Sequence, residues 1–409
     1  MAQNLKVKVL AIVAVTLACI YGIIGIPTSV DSIKENFQKN IHLGLDLKGG
    51  SQLVMQIQVQ DAFKTEADTV IQRLRQDLND KRIKFTDMVR NDPQTVQDAT
   101  SIAITISGVD PVQSGDFRQA VNDAYGAVWN VAPEGTDYRM TMKQTEALAL
   151  IRDTRSQTMN TIEKKINGLG LAESSVQQRG GTNSETEILV QLPGVEDPAH
   201  IKQVLKTAAK LELIEVQGGP FSSREDAMAS KNGVLGFGSQ IKSSGRGSGE
   251  FFILSRTPVV TGRDLRNSQA QASATNRQMW ETTFVLTQDA AKRFEAYTGA
   301  NIGKQMAIVL DDQVLMAPTI RAKISDSGVI NNIGDQQAAS DLALNLRAGS
   351  LPAGLLYLED RTVGPSLGAD SIRSGMIAGL AGLIAVVVVM LIYYKGAGVN
   401  AVVALILNA

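Results

Sequence analysis

The stretch "HLGLDLKGGSQLVMQIQV", residues 42–59, reads as a β-strand because apolar and other residues alternate along it. From Ile41 onward the apolar side chains keep one parity across the Gly49–Gly50 pair. This favours a bend or bulge inside one long strand over a loop between two strands. Glycines at such a point indicate that another part of the backbone lies close by. The sequence therefore predicts a glycine-bent first strand, with structural positions at Gly44, Asp46, Gly49 and Gly50.

Asp46 shares the polar face of this strand with Lys48, two residues further on. The pair could relay an ion. We favour the alternative, a polar pair that protects a sheet edge from aggregation.

The composition excludes several classes of protein. The 409 residues, 44% of them hydrophobic, allow two or three domains with a sizeable core. The charge balance, 40 Lys and Arg against 41 Asp and Glu, gives no basis for binding nucleic acid. One cysteine, Cys19, and two histidines, His42 and His200, are too few for a disulfide framework or a cysteine-based metal site. We expect no cofactor and no bound metal.

Two apolar segments indicate a membrane protein. Residues 9–26 carry no charge over about 27 Å of helix, close to the hydrocarbon thickness of a bilayer. A cleaved signal peptide is the alternative, but the apolar run is long for one and the residues after it make a poor cleavage site. Residues 374–394 are also free of charge and end in two tyrosines and a lysine, a typical interfacial anchor.

The flanking charges predict the orientation of these spans. Lys6 and Lys8 precede the first span and Lys395 follows the second, so both outer ends are expected in the cytoplasm and the long middle outside. Lys34 and Arg373 weigh against this orientation. Residues 396–409 are apolar but too short to cross a bilayer. They are expected to begin a third span inside which the sequence stops, or else to dock against partner helices.

The middle of the chain alternates between strand and helix patterns. The order β-α-β-β-α-β can be written three times, which predicts an α+β outer domain of ferredoxin-like units. The first copy uses residues 51–143, the second uses 144–216, and the third uses 282–363. Residues 218–250 are rich in Gly and Ser and lack a sustained period, which marks a boundary or a mobile surface hairpin. We therefore expect a base at 41–217, a head at 218–340, and a return to the base with a membrane link at 341–370.

No motif assembles a catalytic centre. "GLDLKGG" lacks the Lys-Ser/Thr ending of a phosphate-binding loop, and "GRGSGE" has neither the preceding strand nor the following helix. Asp311 and Asp312 could present carboxylates to a divalent ion, but a tight hairpin turn between two apolar strands explains them better. We expect a protein that is not an enzyme.

The link to the second span, residues 342–372, has helix-ending and turn-forming residues. Gly349 fits a left-handed C-cap and Pro352 prevents continuation of the helix. "GPSLG" then turns the chain into the span, with Asp370 or Ser371 near its N-terminus. The structural positions that we single out here are Arg347, Gly349, Pro352, Gly364, Pro365 and Gly368.

Three motifs together give a resemblance that none gives alone. "GLDLKGG" after a first span, "AIVLDDQVLMAPTI" in the middle, and "LALNLRAGSLPAGLLYLEDRTVGPSLGADSI" before a second span resemble the SecD family, subunits of the bacterial Sec protein-export translocon. The similarity covers nearly the whole chain. It implies an outer base and mobile head, a six-span membrane part, and export driven by the proton motive force. The acidic residue linked to proton transport would lie beyond residue 409.

The resemblance also implies partners and a location. They are SecF, the SecY/SecE/SecG channel, YajC, unfolded preprotein and membrane lipid, in the bacterial cytoplasmic membrane with the large domain on the periplasmic side. A small-molecule exporter of the RND superfamily is one alternative, and it predicts a pocket lined by aromatic residues. An anchored binding or scaffold module is another. For substrate capture in the head, the sequence offers Met316, Phe251 and Phe252 as candidate contacts.

Overall fold

The structure is a computed structural model of the chain. It describes residues 11, 12, 14, 15, 18, 21, 22, 48–171, 173–179, 186–195, 197–236, 238–245, 249–273, 279–331 and 333–408. Most of the predicted first span, together with Gly44 and Asp46, lies outside these residues. The chain divides into a larger compact unit, residues 53–190 and 198–359, and a smaller one, residues 1–52, 191–197 and 360–409.

The described helices account for most of the predicted ones, with boundaries shifted by a few residues. They are α1 (Val59–Asp80), α2 (Ser114–Tyr125), α3 (Gln144–Gly168), α4 (Ala199–Lys206), α5 (Arg224–Ala229), α6 (Gln288–Ala300), α7 (Gln336–Ala348), α8 (Pro365–Tyr394) and α9 (Gly396–Asn408).

The described strands are more numerous than the sequence patterns predicted. They are β1 (Gly50–Gln58), β2 (Asp87–Arg90), β3 (Ala103–Ser107), β4 (Trp129–Glu134), β5 (Asp137–Met142), β6 (Ser175–Gln178), β7 (Glu187–Pro193), β8 (Leu211–Phe221), β9 (Ser239–Ser243), β10 (Phe251–Ser255), β11 (Val260–Thr261), β12 (Leu265–Ala272), β13 (Trp280–Leu286), β14 (Met306–Leu310), β15 (Gln313–Met316), β16 (Ser327–Ile330) and β17 (Gly354–Val363).

The first sheet has the order β17-β1-β7-β6. Counted along the chain, its strands are the fourth, first, third and second, which is the order of a ferredoxin-like split βαβ unit. The predicted ferredoxin-like architecture is therefore present, although its first and last strands are separated by about 300 residues.

The three contiguous repeats predicted from the sequence are wrong. Strands β2, β3, β5 and β4 form a sheet of their own, without β1. The second copy is divided because β8 pairs with β14 and β10, while β6 and β7 belong to the first sheet. The strands of the third copy lie in three different sheets. Hydrophobic periodicity shows which face of a strand is buried, but it carries no information about the partner strand.

A large sheet follows α4, with the order β15-β14-β8-β10-β9 and with β11 paired to β8. Alternate residues of β8 enter two cores: Leu211 and Leu213 pack with Phe284 and Phe294, whereas Ile214 packs with Phe252. A bridge between Ser244 and Val314 joins the two ends of this sheet. Because one core packs on each face of this sheet, both faces of β14 are buried, which explains its nearly unbroken apolar run.

A third sheet, β12-β13-β16, supports helix α7. Leu342 and Leu346 of α7 enter the same core as Phe284 of β13. The Thr282 hydroxyl also donates a hydrogen bond to the carbonyl of Ala339 (3.0 Å). Helix α7 is therefore held by the segment that precedes it. We call Leu211–Ala348, from β8 to the end of α7, the distal segment.

Residues 218–250, predicted as one irregular stretch, contain regular structure. Strand β8 continues to Phe221, and α5 and β9 follow. Helix α5 begins at a conventional cap, since the Ser223 hydroxyl accepts from the amide of Asp226 (3.0 Å). Sequence periodicity does not reveal them because α5 has only six residues and β9 only five, too few to sustain a recognisable pattern.

Helix α8 is long and apolar enough to cross a membrane: within Asp370–Tyr394, an 18-residue window has a mean hydropathy of 2.8. It begins at Pro365, directly after Gly364, with proline in the first turn. The helix thus begins nine residues before the charge-free span predicted at 374–394, and Asp370 and Ser371 lie inside it rather than at its N-terminus.

Candidate functional site

The glycine pair lies at the beginning of β1. Gly49 and Gly50 have positive φ angles of 74° and 136°. A Cβ at Gly50 would overlap the carbonyl oxygen of Leu192 and would lie 2.8 Å from the amide nitrogen of Gly194. Lys48 does not belong to the strand, so the predicted bend inside a longer strand is corrected to a strand start, with 41–47 outside the described residues. Close approach of β7 is the physical reason for glycine here.

Hydrogen bonds fix this approach within the smaller unit. The amide of Gly194 donates to the carbonyl of Gly49 (2.8 Å), and the hydroxyl of Ser51 donates to the carbonyl of Val195 (2.8 Å). Ser51 also lies 3.3 Å from the hydroxyl of Thr362, two residues before Gly364. These hydrogen bonds and the Ser51–Thr362 contact therefore join the start of β1, the end of β7 and the end of β17. From β17 the chain continues into α8.

The chain enters the distal segment through residues 207–210 and leaves it through 349–353, and we call these two passages the neck. The amide of Leu351 donates to the carbonyl of Ala208 (2.9 Å), so the passages lie side by side. Ala209 has a φ of 55° and Gly349 a φ of 94°, and both lie in this neck. Positive φ in a buried alanine is costly and persists only where the surroundings hold it.

A buried lysine stabilises the neck. Lys165 of α3 is 0% exposed, and its ammonium donates to the carbonyls of Val204 (3.1 Å) and Thr207 (2.6 Å) at the end of α4. These carbonyls have no partner inside the helix, and a cation is favourable at a helix C-terminus. Burial lowers the pKa of Lys165 to about 8, which Asp311 opposes in part. No motif marked this lysine in the sequence.

A polar contact joins α4 to α7 at the surface. His200 Nε2 lies 2.9 Å from Asp341 Oδ2, and Gln337 donates to the other oxygen of the same carboxylate (2.9 Å). A cleft of about 540 Å³ adjoins it, lined in part by Gly168, Gln337, Asp341 and Arg347. Arg347 thus lines a cleft, a position that its sequence context did not predict.

The predicted substrate contacts differ in accessibility. Phe252 is 7% exposed and packs in the core around Ile214, so its side chain is not on a surface. Phe251 is half-buried, and Met316 is half-buried against the other core. More exposed apolar side chains lie elsewhere in the distal segment, at Met228, Val234, Met279, Ile302 and Val329.

Asp311 and Asp312 form the two-residue turn between β14 and β15, with φ angles of 49° and 66°. This is the tight hairpin turn expected from the sequence. Asp312 pairs with Lys242 (2.7 Å), and Asp311 accepts from the amide of Lys210 (2.8 Å). Burial raises the pKa of Asp312, but the hydrogen bond from Lys242 and the charges of Lys210 and Lys242 outweigh it and lower the pKa.

Among the described residues, no group of three or more His, Cys, Asp or Glu side chains could hold a metal ion. Four clefts among these residues are lined mainly by polar side chains, with one aromatic residue each in two of them, Phe85 and Trp129. None of these four clefts has the aromatic lining expected of a small-molecule exporter. The fold and site define a mixed α/β protein in which one helix, among the described residues, is long and apolar enough to cross a membrane.

Comparisons with known proteins identify the family. The model "SecDF, P1 head subdomain" matches residues 239–353, and "Protein translocase subunit SecDF, P1 domain, N-terminal" matches residues 155–218. Protein translocase subunit SecD of Koribacter versatilis is 38% identical, over 100% of this chain and 76% of that protein. SecD of Aquifex aeolicus is 32% identical, over 99% of this chain and 74% of that protein.

A crystal structure of SecDF in a super-membrane-facing form is 23% identical with a TM-score of 0.48, over 98% of this chain and 41% of that one. The family is therefore assigned from the two SecD relatives. The chain belongs to the SecD family of protein translocase subunits and is an auxiliary subunit of Sec protein translocation.

Proposed function

We propose that this subunit acts with SecF and uses the proton motive force to complete the export of preproteins. The large domain lies on the periplasmic side and binds the emerging polypeptide. The observation that carries the proposal is the family match along the whole chain, combined with a folded domain whose last strand leads directly into an apolar helix. A movement of that domain can therefore be transmitted to the membrane through the short connection between β17 and α8.

Substrate binding is proposed for the distal segment. An unfolded preprotein offers apolar side chains and unpaired backbone, so its receptor needs dispersed apolar contacts rather than one deep pocket. The exposed Met228, Val234 and Ile302, with exposures of 37%, 73% and 57%, provide such contacts. Met316 and Phe251 stay candidates because both are half-buried. The SecY/SecE/SecG channel, YajC and membrane lipid complete the proposed surroundings.

The test is export in membrane vesicles from cells depleted of their own SecD. Supplying the product of the complete gene should restore the late, proton-driven phase of preprotein translocation and leave the early, ATP-driven phase unchanged. The control is the same protein with the membrane helix disrupted by Leu380→Arg and Ile384→Arg. Failure to restore the late phase, in vesicles that contain the inserted protein and SecF, would show the proposal to be wrong.

A further inference from the structure

A cleft of about 550 Å³ lies where α1 ends and the chain turns towards β2. Its size falls in the range of small-ligand sites. The lining contains the cationic residues Arg75, Arg82 and Lys84 and no carboxylate, while Ile83 and Phe85 supply its apolar part. The residues matched by the two family models begin at 155, so the cleft lies outside both.

Arg82 occupies a backbone position that stability alone would give to glycine. It follows the C-cap of α1 and has a φ of 59°. Its amide donates to the carbonyl of Asn79 (3.0 Å), and the amide of Ile83 donates to the carbonyl of Leu78 (2.9 Å), which together form a Schellman motif. The left-handed residue of this motif is usually glycine, because other residues resist a positive φ. Arg82 is therefore costly for stability, which indicates a role other than folding.

One side chain holds the backbone that carries the exposed cations. The half-buried amide of Gln113 donates to the carbonyl of Arg82 (3.1 Å) and accepts from the backbone amide of Lys84 (3.0 Å). Ile83 lies between them and is 5% exposed, so the loop is also anchored in the core. Arg82 and Lys84 are both exposed and emerge from this fixed backbone. The site is thus preformed, and a ligand would have to order only the two side chains.

The charges of the lining favour a phosphate over a carboxylate. Arg75 donates to Asp87 Oδ1 (3.0 Å) and to the carbonyl of Met88 (2.8 Å), so its charge is already compensated. Among the described residues, neither Arg82 nor Lys84 forms an ion pair. A phosphate monoester carries a charge of about −1.5 to −2 at pH 7 and offers three acceptor oxygens. These oxygens match a forked guanidinium together with an ammonium, whereas a carboxylate would compensate only one of the two cations.

We propose that this cleft binds a phosphate group, with Arg82 and Lys84 as the residues that hold it. The free anion and the phosphate head of a lipid share this chemistry. Because the cleft is larger than a phosphate and Phe85 lines it, we expect a phosphate joined to an apolar group to bind more tightly than the free anion. The site lies outside the distal segment, so the inference goes beyond the proposed binding of polypeptide and does not depend on it.

The experiment is calorimetric titration of the full chain in a nonionic detergent. The probes are inorganic phosphate and dihexanoyl phosphatidic acid, with dihexanoyl phosphatidylcholine as the lipid control. Changing both Arg82→Gln and Lys84→Gln should weaken binding of phosphatidic acid at least about tenfold, the loss expected for one charge-assisted hydrogen bond. The matched control is Lys81→Gln, an exposed neighbouring cation outside the lining, which should leave binding unchanged.

Arg82→Gly separates binding from a structural role. Glycine relieves the backbone strain, so this variant should unfold at an equal or higher temperature while binding phosphatidic acid more weakly. A residue with only a structural role would not change stability and binding in opposite directions.

The two phosphate probes distinguish the source of the phosphate. Tighter binding of phosphatidic acid assigns it to a lipid head, and tighter binding of inorganic phosphate assigns it to the free anion. Either order supports the site when the Arg82 and Lys84 variants weaken binding. The proposal would be overturned by a lack of binding of both probes, by unchanged binding in these variants, or by phosphatidylcholine binding as tightly as phosphatidic acid.

Discussion

At the residue scale, Gly50 is a position that requires a residue without a side chain. Its φ of 136° is in a region that other residues resist, and a Cβ would overlap the backbone of β7. We expect Gly50→Val to lower the free energy of unfolding by at least about 1–3 kcal/mol from backbone strain alone. Urea unfolding followed by tryptophan fluorescence measures it.

The control for Gly50 is Gly115→Ala. No atom lies within 4 Å of a Cβ at Gly115, and its backbone is helical. Alanine should be neutral or stabilising by up to about 1 kcal/mol there. Equal effects at both positions would contradict the steric explanation.

Lys165 makes the stability of the protein depend on pH. Its pKa is lowered to about 8 by burial, against about 10.4 in an unfolded chain. Between these values the unfolded chain binds more protons, so the free energy of unfolding should rise with pH, by at most about 1.4 kcal/mol per pH unit. Well below pH 8 both states hold the proton, so this pH dependence vanishes there.

Urea unfolding at pH 7.5, 8.5 and 9.5 measures this slope. Lys165→Met should reduce it, and the difference between the two proteins isolates the lysine from other titrating groups. A variant with the same slope as the parent would show that Lys165 is not the group responsible.

At the element scale, the β14–β15 hairpin depends on two aspartates with positive φ. Asp312→Val would force a β-branched residue into this positive-φ conformation, at a cost of roughly 1–3 kcal/mol. Asp312→Asn keeps a residue that tolerates this conformation and removes only the charge that pairs with Lys242. We expect Asp312→Val to lower the thermal unfolding temperature clearly and Asp312→Asn to lower it slightly. Similar effects of both would indicate that the ion pair, rather than the backbone, stabilises the turn.

Residues 218–250 should not behave as one mobile hairpin. Strands β9 and β10 pair along five positions, so their amides should exchange slowly. Residues 231–236 connect α5 to β9 without regular structure and are mostly exposed, so they should exchange fast. Mass-spectrometric hydrogen exchange separates the two classes. Uniform exchange across the stretch would contradict the boundaries found here.

The sequence predicted elements better than their assembly. Apolar spacing identified α1, α3 and α7, whose apolar side chains face a core, and a continuous apolar run identified β14, which is buried on both faces. It missed β12, whose residues are mostly polar, and β4, which contains Pro133 and exposed positions. The ferredoxin-like order depends on the pairing of β1 with β17, across about 300 residues, and no local pattern encodes such a contact.

The same limit applied to the site. The positive φ of Asp311 and Asp312 follows from a local turn, so the sequence could predict the hairpin. Lys165 meets Val204 and Thr207 only after folding, as His200 meets Asp341, so neither contact had a sequence signal. Phe252 was chosen for its apolar side chain, and its burial reflects the second core of the large sheet.

At the scale of the whole molecule, the flanking charges predict that the large domain is periplasmic. A cysteine at exposed Gln119, in the Cys19→Ala background, should then react with a membrane-impermeant maleimide added to cells with a permeabilised outer membrane. Lys395→Cys, after the membrane helix, should react only once the inner membrane is opened. The two positions control for each other because one reagent treats both. Labelling of residue 395 before residue 119 would show the opposite orientation. It would also contradict the proposed capture of polypeptide on the periplasmic side.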